Sequence, residues 1–352
     1  MSKKVMAYVG SYCYNGKNKG ISIFDVDLER GKFTFRKEID EYNCSYIIRS
    51  RKKDKLYAVS EYGVTSYIIK PDGDLEKLNT KKINGMRGCH LSVSMDDRFL
   101  CVAGYHDGKC TILRINEDGS LGKISHQFYD QGFGSVAERT FRPHISCCRI
   151  TTDGKYLFSV DSGIDQIRIF RFDENAEMLE QVSALRCELG SSPRFFRFSP
   201  DGKYMYLIYE IKDAVEVYSY EDTGKAPVLK KVKEILTTTK EGDISQTAAA
   251  AMRVTKDGRY MFVSNAGENT VSMFKADPET GDLEMMSSLP ISGDYPKDIS
   301  LFPDEKHLAV ANYASNELSF FKIDYEKGLL IMSERNIPIP QPNSIRFITI
   351  EE

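Results

Sequence analysis

Tryptophan is absent from this 352-residue chain, and no two glycines are adjacent. The tryptophan–aspartate and kelch repeat signatures are thereby excluded in their usual form. No apolar run approaches the roughly 18 residues that a membrane-spanning helix requires. Charge is nearly balanced, 48 Lys+Arg against 51 Asp+Glu, so the basic excess of a nucleic-acid binder is missing. Met1-Ser2-Lys3-Lys4 leads straight into a short apolar run, without the long hydrophobic region and cleavage pattern of a secretion signal. The expectation is a cytoplasmic protein that engages neither membrane nor nucleic acid.

Cysteine is also scarce. Eight residues (13, 44, 89, 101, 110, 147, 148, 187) are too few for a disulfide scaffold of this length, and none forms a CxxC pair. They are expected to be reduced and mostly buried. A zinc site on His90 and His144 lacks a third ligand at a known spacing, so no metal is expected. P-loop, GxGxxG, HExxH and GxSxG patterns are missing as well, which removes the common nucleotide, zincin and serine-hydrolase readings.

What the chain does contain is a repeat. An alternating apolar run, a charged turn, a second apolar run and a third ending in an acidic-Gly turn recur throughout. PHISCCRITTDGKYLFSVDSGIDQIRIF (143–170), PRFFRFSPDGKYMYLIYEIKDAVEVY (193–218) and AAMRVTKDGRYMFVSNAGENTVSMF (250–274) show the plan most clearly. Units open near 43, 89, 143, 193, 247 and 296, a period of about 50 residues that suits a four-stranded propeller blade. PNSIRFITI (342–350) supplies one more opening strand, and AYVGSYCYNGKNKGISIFDVDLERGKF (7–33) supplies the rest of that unit. The prediction is a single all-β domain over 1–352, a seven-bladed β-propeller whose last blade is closed by strands from both termini, leaving no sheet edge at the junction.

Within a blade, the start of the first strand and the end of the second lie side by side, away from the hairpin turn. Starts of first strands carry His90, His144, Arg194 and Lys297. Five residues beyond the Leu or Met of each second strand stand Glu61, Tyr105, Ser162, Glu210, Ala266 and Tyr313. These positions differ from blade to blade, as a site grafted onto a symmetric scaffold does. Imidazole, guanidinium and carboxylate together suit acyl or proton transfer: a base near neutrality, a fork for an anion or oxyanion, and a carboxylate to orient either. His106, His126 and His307 fall in turns or outer segments and are expected at the surface.

AYVGSY, GCHLSVS (88–94), RPHISCCRITTDGKYLFSVDSGID (142–165), SPRFFRFSPDGKYMYLIYEI (192–211), DGRYMFVSNAGENTVSMF (257–274) and YPKDISLFPDEKHLAVAN (295–312) resemble, in order, the seven-bladed propeller lactonase family. That family contains the propeller type of 6-phosphogluconolactonase and the fungal carboxymuconate cyclase. The resemblance implies hydrolysis of 6-phosphogluconolactone or a related small sugar lactone, without metal or organic cofactor, by a monomer or weak homo-oligomer. It places the family's site histidine on His144, its first arginine on Arg194 and its glutamate on Glu210; His90, Glu61 and Lys297, by their strand positions, are the substrate-binding candidates. The sequence departs from the pattern at Ala266, where a second arginine is normal, at Ser146 and at Phe195. A carboxymuconate-type cyclase and a non-catalytic binder of sugar acids are the alternatives.

Overall fold

Every repeat folds into one antiparallel sheet. The computed structural model describes residues 3–134, 141–239 and 247–351, and every regular element among them is a strand. Six four-stranded sheets come in chain order: blade one (47–82), blade two (90–129), blade three (145–186), blade four (193–236), blade five (248–290) and blade six (296–338). In the seventh, Pro342–Glu351 lies beside Lys3–Ser11, then Gly20–Asp27 and Lys32–Asp40. This is the seven-bladed β-propeller that the repeat predicts, closed by both ends of the chain.

Burial explains the strand sequences. Phe99–Gly104, Tyr156–Asp161 and His307–Asn312 are second strands buried at every position, because both faces of their sheets are covered. Fourth strands such as Leu121–Tyr129 alternate toward solvent. The turn joining the first two strands is set by side chains. In blade three Thr151 Oγ1 donates to Asp153 Oδ1 (2.6 Å), Tyr156 N donates to Thr151 Oγ1 (3.1 Å), and Gly154 takes φ 75°, a conformation glycine adopts without a Cβ penalty. Ser199–Asp201 and Thr255–Asp257 repeat the motif at 2.6 Å in blades four and five.

The chain divides into two compact units, one of residues 1–25, 35–190 and 346–352 and the other of residues 26–34 and 191–345. The first holds the cores around Ile47 and Leu56, Leu91 and Val102, and Cys101 and Leu157. Its first strands succeed one another from blade one to blade three, with Ser92 Oγ donating to Cys148 O at 2.7 Å. The second unit packs Phe262, Val271, Leu308 and Val310, and Arg253 pairs with Asp298 (2.7 Å) between the first strands of blades five and six.

Two histidines correct the surface expectation. His126 is buried, its Nε2 2.9 Å from Ala176 O. His307 is buried against Phe302, with ring centroids 5.5 Å apart. The first serves a neighbouring backbone carbonyl and the second opens a strand covered on both faces. His106 alone of the three is exposed. All eight cysteines are free thiols, six of them buried, as the sequence suggested.

Candidate functional site

A bulge sets which side chains stand at the start of each first strand. In blades three to six the register slips between Ile145 and Cys147, Pro193 and Phe195, Ala249 and Ala251, and Pro296 and Asp298. The extra residues are Ser146, Arg194, Ala250 and Lys297. A bulge leaves one residue outside the ladder and re-aims its side chain. His144 shares this end of its blade but lies earlier in register: its carbonyl accepts from Ser162 N (3.0 Å), as Ser192 O accepts from Glu210 N (2.8 Å). His90 lies later. It pairs Ala103 as Cys147 pairs Val160, and is buried against Tyr46 with ring centroids 4.8 Å apart.

In the first unit, His144 is held from three sides. Its backbone N–H donates to Asp161 Oδ1 (2.8 Å), its Nδ1 lies 2.6 Å from Tyr105 O, and its ring stacks on Tyr105 at 4.4 Å and 18°. A ring nitrogen facing a carbonyl must carry the proton, so the tautomer leaves the lone pair on Nε2. Asp161 Oδ1 also accepts from Gly163 N (2.9 Å) and Ile164 N (3.2 Å), which fixes the chain around the imidazole. Glu61 accepts from Asn43 Nδ2 (2.7 Å) and pairs with Arg87 (3.3 Å). Arg87 in turn lies over the rings of Tyr12 (4.8 Å) and Tyr14 (5.4 Å).

Beneath His144 lies a carboxyl pair. Burial, and then the Asp161 charge, push Asp130 up to about 8, and burial raises Asp161 as well. Arg168 stands 3.2 Å from Asp130 and opposes the shift without cancelling it. An unfolded aspartate titrates near about 3.9, so the native state holds the extra proton in between. Stability contributed here is complete below about pH 4 and is lost as pH rises toward about 8. Denaturant unfolding of Asp130→Asn is expected to flatten that decline. Parallel pH profiles for the variant and wild type would refute the shared-proton account.

In the second unit, Arg194 Nη1 forms a close ion pair with Glu210 Oε2, and Arg194 Nε donates to Ala250 O at 3.0 Å. Both side chains are largely buried, Glu210 at 12% exposure. Ala266, where the family pattern has arginine, is buried with Ala248 and Ala250 in a small apolar cluster. Lys297 Nζ lies 4.5 Å over the Tyr313 ring. Lys212 is engaged with Glu234 (2.9 Å) and Glu216 (3.4 Å). Among the described residues no group of three or more His, Cys, Asp or Glu side chains is placed to hold a metal ion.

The structure thus groups His144 with Tyr105, Asp161 and the Asp130–Arg168 pair, and separately Arg194 with Glu210. Sequence reasoning missed Asp130, Asp161 and Arg87. Aligning Cys89 of blade two with Ser146 of blade three puts Arg87 at the place of His144, and that was the available signal.

Comparison with known proteins agrees with this architecture. Residues 6–347 match the family model described as Lactonase, 7-bladed beta-propeller. A 6-phosphogluconolactonase of Bacillus subtilis is 28% identical over 98% of this chain and 99% of its own length. A 6-phosphogluconolactonase of Formosa agariphila is 27% identical over 84% of this chain and 86% of its own. The structure of a periplasmic gluconolactonase of Pseudomonas aeruginosa superposes with a TM-score of 0.91 at 26% identity, covering 99% of this chain and 100% of that one.

Proposed function

Since the chain belongs to the seven-bladed β-propeller lactonase family, we propose that it is a lactonase hydrolysing 6-phosphogluconolactone or a closely related sugar lactone. The observation that carries the reading is the His144 imidazole, fixed by Tyr105 O as an Nε2 base. In this reading His144 Nε2 takes a proton from water as the oxygen attacks the lactone carbonyl. The C–O ring bond then breaks, and the proton is delivered to the departing alkoxide. Arg194 and Glu210 are the further catalytic residues that the resemblance implies, a guanidinium suited to stabilising an oxyanion and a carboxylate that holds its fork in one orientation. His90, Glu61 and Lys297 are assigned to substrate binding. We read residues 1–352 as one catalytic domain, cytoplasmic, and a monomer or weak homo-oligomer. The free thiols support a reducing compartment.

The test is acid release from 6-phosphogluconolactone by purified protein, measured above the uncatalysed rate. Turnover is expected, and Arg194→Ala should lower kcat/KM by about 10- to 100-fold, the usual worth of a charge-assisted contact. No turnover by wild type would end the lactonase reading, and an unaffected Arg194→Ala would remove that residue from the site.

A further inference from the structure

Resting on the lactonase reading, we infer that Arg87 is a substrate-binding residue that recognises an anionic exocyclic group, a phosphate or a carboxylate, on the lactone. Four observations within the first unit carry this. Cys89 N donates to Ala103 O (2.8 Å), so Arg87, two residues earlier, faces the end of the second strand of blade two, where Tyr105 stands. Tyr105 is the residue on which the His144 ring is stacked and whose carbonyl fixes its tautomer. By this register Arg87 holds in blade two the place that His144 holds in blade three. The imidazole of His106, next in sequence to Tyr105, is held below its ordinary value by desolvation and then by the nearby Arg87 and His144.

The guanidinium is also preorganised. Glu61, itself held by Asn43, grips one edge at 3.3 Å, and the stacked Tyr12–Tyr14 pair lies against its face. Such a fork loses little freedom on meeting a planar or tetrahedral oxyanion. Glu61, besides its assignment to substrate binding, orients Arg87.

The experiment compares wild type, Arg87→Ala, Arg87→Lys and, as a remote control, Arg98→Ala. Arg98 is exposed and paired with Glu174. Calorimetric binding of 6-phosphogluconate and of gluconate is measured beside hydrolysis of 6-phosphogluconolactone and glucono-δ-lactone. Arg87→Ala should weaken 6-phosphogluconate binding at least about 20-fold and raise KM for the phosphorylated lactone, with kcat and the unphosphorylated ligands unchanged. Arg87→Lys should fall between, and Arg98→Ala should match wild type. Equal loss of phosphorylated and unphosphorylated ligands, no loss at all, or no binding of 6-phosphogluconate by wild type would overturn the assignment. Wild type that binds 6-phosphogluconate through Arg87 yet hydrolyses neither lactone would uphold Arg87 and end the lactonase reading.

Discussion

Replacing His144 by alanine is expected to lower kcat for lactone hydrolysis by about 10²- to 10⁴-fold, the range a positioned general base supplies. The loss should appear in kcat rather than KM, because the imidazole acts on the attacking water and not on the bound sugar. Three contacts justify so large an effect. The Tyr105 carbonyl fixes the tautomer, the Tyr105 ring fixes the plane, and Asp161 fixes the backbone. A base held this way needs no reorganisation when the proton moves. Truncation opens space where the ring stood, so added imidazole should restore part of the rate to His144→Ala. Full activity in that variant, after subtraction of the spontaneous reaction, would exclude His144 as the base.

Gly163→Ala should be nearly as damaging, although Gly163 has no functional group. A Cβ at this position would lie 1.8 Å from Arg142 O and 2.8 Å from His144 Cδ2. The first partner is backbone and cannot rotate aside, so the Arg142–His144 segment must shift. Overpacking of this kind costs about 1–3 kcal/mol, and a displacement near 1 Å at a reacting group costs about 10²-fold in rate. Unfolding midpoint and kcat are therefore expected to fall together. Ser162→Ala, one residue away, removes only the 3.0 Å hydroxyl bond to His144 O and keeps the N–H bond to that carbonyl, so it should leave most of the activity. A Gly163→Ala enzyme with wild-type midpoint and kcat would show that the segment is not fixed by this contact.

The two effects separate what each residue does. His144 offers a proton acceptor, whereas Gly163 offers room. The same contrast applies to Arg194 and Ala250: the guanidinium lies across a bulge whose alanine leaves the carbonyl approachable. Glu210 adds the opposite charge in a nearly enclosed place, where an unpaired carboxylate is costly.

Much of this protein was legible before any coordinates. The period of about 50 residues and the complementary ends at 7–33 and 342–350 sufficed for seven blades closed by both termini. The Thr/Ser-x-Asp-Gly turns marked the hairpins, and uninterrupted runs such as YLFSVD marked strands covered on both faces. The residues at one end of each blade could be found by counting along the second strand. Their contacts could not. His90 reads as a substrate-binding candidate in sequence, yet the register buries it beside Tyr46, and no local pattern singles out Arg87. His126 and His307 read as surface residues and are interior.

Local pattern therefore determined the strands, their number and the end of the blade that carries polar residues, because period-two alternation and turn chemistry act over a few neighbours. Tertiary structure decided where the first strands bulge, which tautomer His144 adopts and what Arg87 and Arg194 touch. Those outcomes depend on hydrogen bonds and packing between segments 16 to 56 residues apart, and alternation along one strand carries no information about them.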